Sequence, residues 1–269
     1  MRVAVAGAGG RMGQALIEGI LAQPELELAA ALDADNTPLL GRDAGERMGR
    51  RTGVAVGSNV ADALATSDVL IDFTRPDGTL VHARACAEHR VGMVVGTTGL
   101  SPAQRAQLAT HAQSIPVVFA PNMSVGVNVL VRLVEMAASR LGPAYDIEVV
   151  EMHHRHKVDA PSGTALLLGE AAARATRTTL EQSGVFAREG TTGARAAGTI
   201  GFAALRGGDV VGEHTVMFAS DGERLELTHR ATSRQTFAGG ALRAARFVAQ
   251  RRAAGENGLF DMTDVLDLV

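Results

Sequence analysis

Short apolar runs alternate with stretches of helical spacing through the first half of the chain. Val3 to Ala6, Leu26 to Leu32, Val69 to Phe73, Val91 to Val95 and Pro116 to Ala120 read as strands, with a shorter edge strand at Val54 and Val56. Gln14 to Ala22, Asn59 to Ala65, Asp77 to His89 and a segment from Ser101-Pro102 to Ala112 read as helices. Pro38 to Thr52, with Gly41, Gly45 and Gly49, reads as loop with a short helix. Strands alternating with helices predict a doubly wound parallel sheet. The pattern changes after Val125 to Leu141, a long apolar helix. Asp146 to Met152, Gly198 to Leu205, Val210 to Phe218 and Arg224 to Ala231 are strands, the later ones joined by short turns, which predicts a mixed or antiparallel sheet. Ala165 to Arg177 is helical. A helix from Phe237 to Gln250 is expected to return to the first domain, and the tail from Gly258 to Leu266 to pack down. The expected fold class is α/β, a Rossmann-type doubly wound parallel sheet with a second α+β domain. The expected division is 1–124 plus 235–269 against 125–234.

In such sheets, ligands sit beyond the carboxyl ends of the strands. Those ends are Gly7-Ala8-Gly9-Gly10-Arg11-Met12-Gly13, Asp33, Phe73-Thr74, Gly96-Thr97-Thr98 and Ala120-Pro121-Asn122-Met123, and all could line one crevice. The glycine turn lies between a strand and a helix, the context of a dinucleotide fingerprint, although Met12 stands where the last Gly of G-x-G-x-x-G would fall. Asp33 closes the second strand, where an acid accepts hydrogen bonds from an adenosine ribose.

The second half carries a denser cluster, Glu151-Met152-His153-His154-Arg155-His156-Lys157, then Val158-Asp159-Ala160-Pro161-Ser162-Gly163-Thr164 opening a helix. An apolar strand leads into a cationic turn, and small residues at a helix start leave N–H groups for an anion. Histidine and lysine deliver protons near neutral pH when their surroundings shift them. The cluster points to a site that binds and protonates an anionic substrate. A basic solvated loop with an ordinary N-cap is the bland alternative. Metal is not expected, because His154 and His156 share one face while His153 points away, and the spacing matches no usual zinc pattern.

Composition narrows the classes. The 269 residues are 46% hydrophobic and 20% charged, enough for one large domain or two modest ones. A net charge of -3 argues against a general nucleic-acid or membrane-surface binder. With 3% aromatics and no Trp, base stacking is not expected either. Cys86 is the only cysteine, which suits a reducing cytosol, and Met1 to Gly7 does not read as a signal peptide, so a cytoplasmic location is expected.

Taken together, the glycine turn, Asp72-Phe73-Thr74, Gly96-Thr97-Thr98-Gly99, Asn122-Met123-Ser124-Val125-Gly126-Val127-Asn128, Glu151 through Thr164, Gly212-Glu213-His214 and the tail from Leu259 to Leu266 resemble the 4-hydroxy-tetrahydrodipicolinate (dihydrodipicolinate) reductase family of lysine and diaminopimelate biosynthesis. The resemblance spans almost the whole chain. It implies reduction of a cyclic imine dicarboxylate by hydride from NADH or NADPH, and a homotetramer assembled through the sheets of the substrate domain. It implies that His153 and Lys157 are catalytic, that His154, Gly163 and Thr164 bind substrate, and that Gly7 to Met12, Asp33, Gly96 to Thr98 and Ala120 to Met123 bind the dinucleotide. The chain departs from some members at Ala34, where they place an arginine to meet a 2′-phosphate. That departure argues against strong preference for NADPH. A dehydrogenase for another small acid and a dinucleotide-sensing regulator are the rival readings. A hinge is expected near Ser124 and Thr236.

Overall fold

Strand β1 (Arg2–Ala6) is buried on both faces: Val3 and Val5 meet one layer of helices, Ala4 and Ala6 the other. A computed structural model describes residues 1–268 and traces the chain as follows. After β1 come α1 (Arg11–Leu21), β2 (Glu27–Leu32), β3 (Val56–Gly57), α2 (Val60–Ala65), β4 (Val69–Asp72), α3 (Pro76–His89), β5 (Gly92–Val95), α4 (Pro102–His111) and β6 (Pro116–Phe119). The second stretch holds α5 (Val125–Leu141), β7 (Asp146–His153), α6 (Gly163–Ala175), α7 (Leu180–Ser183), β8 (Gly184–Val185), β9 (Ile200–Arg206), β10 (Gly212–Ser220) and β11 (Glu223–Ala231). The chain then returns through α8 (Gln235–Ala253), β12 (Gly258–Phe260) and α9 (Met262–Leu266).

Two units result, Met1–Val125 joined by the segment from Arg234 onward, and Gly126–Ser233. The first is a seven-stranded sheet in the order β12-β6-β5-β4-β1-β2-β3, with every pairing parallel. On one face lie α1 and α8, which bury Leu16, Ile17, Ile20, Leu242 and Val248. The other face is covered through Leu64, Ala83, Cys86 and Leu108 of α2, α3 and α4. Each leucine, isoleucine or valine among them contributes about 1.5–3 kcal/mol when withdrawn from water. Local chemistry sets the helix starts. Asn59 caps α2, Pro76 takes the first position of α3, and Ser101 with Gln104 forms a capping box on α4. The tail does more than pack down, since β12 extends the parallel sheet beside β6.

The second unit has a mixed five-stranded sheet, β11-β10-β7-β9-β8, antiparallel on one side of β7 and parallel on the other. Ile147, Val149, Phe202, Val216 and Phe218 point from one face into a core with α5 and α6. The short α7 and β8 add a strand at the β9 edge that the apolar pattern does not announce.

Candidate active site

The candidate residues fall into two groups, one in each unit. In the first unit, the carboxyl ends of β6, β5, β4, β1 and β2 are neighbours in the sheet, and this brings Ala120, Gly96, Phe73, Gly7 and Asp33 to one edge. Gly7 adopts φ +79°, a left-handed conformation that a side chain resists, and its N–H and that of Ala8 both reach the Leu32 carbonyl. A Cβ on Gly13 would stand 2.1 Å from the Gly7 carbonyl oxygen, so helix and strand approach this closely only with glycine there. Gly10 caps α1 without a side-chain bond, which leaves N–H groups of Arg11 and Met12 at a positive dipole end. The Gly9 N–H donates to the Asp33 carboxylate at 2.6 Å. A cavity of about 730 Å³ opens beside Gly10, Asp33, Ala34 and Thr74. These features fit the pyrophosphate and adenosine of a dinucleotide.

Two further residues of that cavity, Arg75 and His82, have no motif to single them out. His82 Nδ1 lies 2.6 Å from the buried carboxylate of Asp72. That carboxylate also accepts from the hydroxyls of Thr74, Thr79 and Thr97. The Thr97 hydroxyl is thus turned inward as a strut, and Thr98 is the exposed member of the pair. Gly96 lies against the Phe73 ring, where a Cβ would come within 2.3 Å. Pro121 is exposed, Met123 is buried, and the Asn122 side chain accepts from the Ser124 N–H.

In the second unit, β7 runs one residue further than its apolar pattern and carries His153 into the sheet. His154, intermediate in burial, begins the turn, and the Lys157 N–H bonds back to its carbonyl. The registers bring Arg206 beside His153 and His214 beside Glu151. Glu151, 1% exposed, is the hub. Arg206 donates to both its oxygens at 2.8 and 2.9 Å, His153 Nδ1 lies 2.6 Å away, and the Ser162 N–H donates at 3.1 Å. Burial raises the Glu151 carboxyl, but the Arg206 fork and His153 outweigh it and hold the group below its ordinary value. Burial pushes His153 down, and the charges of Lys157 and Arg206 add to this against the pull of Glu151. With Glu151 on Nδ1, His153 presents Nε2. A Cβ on Gly212 would stand 3.0 Å from that nitrogen, so glycine keeps the approach open.

Lys157 Nζ donates to both oxygens of Asp159 at 2.8 Å, and this ammonium holds the Asp159 carboxyl low. Arg206 also donates to the Asp159 carbonyl, which ties the turn to the sheet. Ser162 caps α6 by accepting from the Ala165 N–H. Among the described residues nothing accepts from the Gly163 N–H, and a Cβ on Gly163 would meet no atom within 4 Å. The start of α6 therefore offers a donor and open space together. No local pattern in the sequence gives Glu151, Arg206 or His214 a role. Arg206 and His214 arrive only through strand register, whereas Glu151 lies inside the motif and differs from Asp146 and Glu148 of the same strand in falling on its buried face.

His214 shares a 3.0 Å hydrogen bond with the Ser162 hydroxyl and packs edge-on against His153, with ring centroids 5.1 Å apart. Burial, then the charge of His153, pushes it down to about 3. The unfolded chain binds a proton at His214 below about pH 6.5, while the folded chain refuses it until about 3. Folding stability is therefore lost as pH falls through that window. Between about pH 6.5 and 5 this one group is expected to remove about 1–2 kcal/mol. Urea denaturation at the two pH values checks it. His214→Gln should flatten the difference, and an unchanged difference would assign the loss elsewhere.

Residues 1–123 match the family described as dihydrodipicolinate reductase, N-terminus, and residues 126–266 match dihydrodipicolinate reductase, C-terminus. The 4-hydroxy-tetrahydrodipicolinate reductase of Nitrosospira multiformis is 57% identical over 268 residues, covering 100% of this chain and 98% of its own. That of Burkholderia pseudomallei is 55% identical and covers 100% of both. Among solved structures, the dipicolinate-bound dihydrodipicolinate reductase of Paenisporosarcina sp. TG-14 superposes with a TM-score of 0.76 at 27% identity, covering 100% of this chain and 99% of that one. A C. glutamicum DAP dehydrogenase in complex with DAP shares the fold at 13% identity and a TM-score of 0.56, covering 97% and 92%.

Proposed function

The chain belongs to the dihydrodipicolinate reductase family, and from that premise we propose that the turn at His153 and the start of α6 form the substrate half of its active site. The enzyme reduces 4-hydroxy-tetrahydrodipicolinate to tetrahydrodipicolinate in lysine and diaminopimelate biosynthesis. Loss of the 4-hydroxyl as water gives the unsaturated imine, and a bound NADH or NADPH, for which the glycine turn, Asp33, Gly96 to Thr98 and Ala120 to Met123 are the holding residues, would supply the hydride that reduces it. The observation that carries the assignment is the Glu151 carboxylate fixing His153 beside Lys157, one short turn ahead of an open helix start.

The substrate is a dicarboxylate. The Gly163 N–H, the Thr164 N–H and hydroxyl, and the positive end of α6 suit one carboxylate, and His154 lies at the turn to meet another part of the ring. After hydride addition the substrate carries new electron density. The Lys157 ammonium is the group that quenches it with a proton, and His153, whose Nδ1–H is committed to Glu151, delivers one from Nε2 only when it is in its imidazolium form. Glu151 holds the imidazole in one orientation, and Arg206 keeps Glu151 ionised and still. Asp159 keeps the flexible lysine stem over the turn.

Thr164→Val keeps the shape and removes the hydroxyl. It is expected to weaken a pyridine dicarboxylate, a planar mimic of the ring, by about 1–2 kcal/mol. Calorimetry with and without NADH measures this, and binding should be tighter with NADH present. Unchanged affinity together with indifference to NADH would mean that the helix start is only a cap.

The exposed face of the second sheet presents Val150, Met152, Ala203, Leu205 and Met217, an apolar surface with Leu205 49% exposed. This supports assembly into a homotetramer through that face. Sedimentation at the mass of four chains is the expected result, and a monomer at micromolar concentration would refute it. Among the described residues no helix is long and apolar enough to cross a membrane. A small-molecule biosynthetic reaction with a single buried Cys86 supports a cytoplasmic site of action.

A further inference from the structure

The loop between β2 and β3 brings an arginine to the glycine turn from outside it. The Arg47 guanidinium donates to the Gly9 carbonyl at 2.8 Å, and the N–H of the same Gly9 donates to the Asp33 carboxylate. A single residue thus links a cation to the acid that faces the ribose.

The loop is built to hold Arg47 there. Asp43 accepts from the N–H groups of Gly45, Thr52 and Gly53 and from the Thr52 hydroxyl, which closes the loop around one carboxylate. These backbone donors hold the Asp43 carboxyl far below the usual range. The Asp43–Ala55 bridge and the Gly41 and Val56 N–H bonds fasten the same loop to the sheet edge. Leu39 and Met48 pack onto the core from either side of this segment. Arg47 therefore projects from a short 3₁₀ turn, Glu46–Met48, whose position is already fixed. The neighbouring Glu46 does not neutralise it, because Glu46 pairs with Arg42. Arg47 is exposed, and one bond to a carbonyl leaves the rest of its donor fork for a ligand.

Asp33 alone would repel a 2′-phosphate, and Ala34 brings no cation to answer it. We propose that Arg47 is the specificity-determining residue that lets this enzyme accept the 2′-phosphorylated dinucleotide, doing from the loop what Ala34 cannot do from the strand end. The inference rests on the dinucleotide reading of the glycine turn. Arg11, the other arginine of the turn, has a like-charged neighbour in Arg234 at the start of α8, so positive charge surrounds the turn on more than one element. Arg47 is the one anchored to the residue that also holds Asp33. A guanidinium suits this task because it meets phosphate oxygens in pairs.

The test is calorimetric binding of NADH, NADPH, 5′-AMP and 2′,5′-ADP to the intact enzyme and to Arg47→Gln. Glutamine keeps a donor for the Gly9 carbonyl and removes the charge. For the native enzyme, NADH should bind at least as tightly as NADPH. In Arg47→Gln, NADPH and 2′,5′-ADP should weaken by about tenfold or more, while NADH and 5′-AMP stay within about twofold. The salt dependence of NADPH binding should become shallower in the variant. Equal weakening of both pairs, or no change in either, would overturn the role of Arg47 while leaving the dinucleotide site standing. Failure of the native enzyme to bind either dinucleotide would instead overturn the reading of the glycine turn.

Discussion

Replacing Lys157 by alanine is expected to lower kcat by about a hundredfold or more while leaving the dissociation constant for NADH nearly unchanged. The ammonium sits in the turn after β7, 19% exposed and held by Asp159, with no part in the glycine turn or the Asp33 end of the first sheet. His153→Ala is expected to lose turnover on the same scale, because its Nε2 face disappears with the ring. The two losses should not multiply in the double variant if the residues act as one proton-delivering unit. Steady-state rates with saturating NADH, set beside calorimetric NADH affinities, decide the matter. A variant that lost NADH binding yet kept its turnover at saturation would remove both residues from the chemistry.

The second large effect concerns the Glu151–Arg206 pair, and here the two partners should behave differently. Glu151 is 1% exposed, whereas Arg206 retains 21% of its side-chain exposure. Arg206→Met leaves a carboxylate in the interior without its fork of donors. The cost expected for a buried charge stripped of its partner is about 3–5 kcal/mol, read as a fall in the urea midpoint. Glu151→Gln leaves the guanidinium near enough to the surface to find water, so the stability loss should be smaller. Its main penalty falls on turnover, because a neutral amide no longer fixes the His153 ring, and a misplaced catalytic group costs about a hundredfold. The discriminating result is the split, with Arg206→Met losing mainly stability and Glu151→Gln mainly kcat. Equal stability losses in both would mean that the pair acts only as a packing element.

How far the sequence reveals this site follows from where its parts lie along the chain. The glycine turn with Asp33 and the run from His153 to Thr164 are contiguous, so their composition and spacing carry the chemistry directly. Arg206 reaches Glu151 because β9 runs parallel to β7 with Arg206 opposite His153. His214 reaches Ser162 because β10 runs antiparallel with His214 opposite Glu151. Neither register is written in any local pattern, since both strands tolerate several alignments until the core closes. Arg47 lies in a segment that reads as loop with a short helix, and what makes it matter is the Asp43 hub, a tertiary arrangement of backbone N–H groups. The strand β12 escapes notice for a different reason. At three residues it is too short to show a period, and it counts as a strand only because β6 offers an edge.

The first unit is made of two separated pieces of chain, and this orders events as the polypeptide is synthesised. When Ser233 leaves the ribosome, every strand and helix of the inserted unit already exists. The earlier piece of the first unit must still wait for α8, whose Ala238, Ala241, Leu242, Ala245 and Val248 cover one face of its sheet. Until then α1 alone covers part of that apolar face and the β6 edge is unpaired, the two features by which a nascent chain attracts chaperones or its own kind. The stretch of translation from the end of β6 to the completion of α8 and β12 is therefore the hazardous interval for this enzyme, and what ends it is the returning segment rather than any residue of the active site.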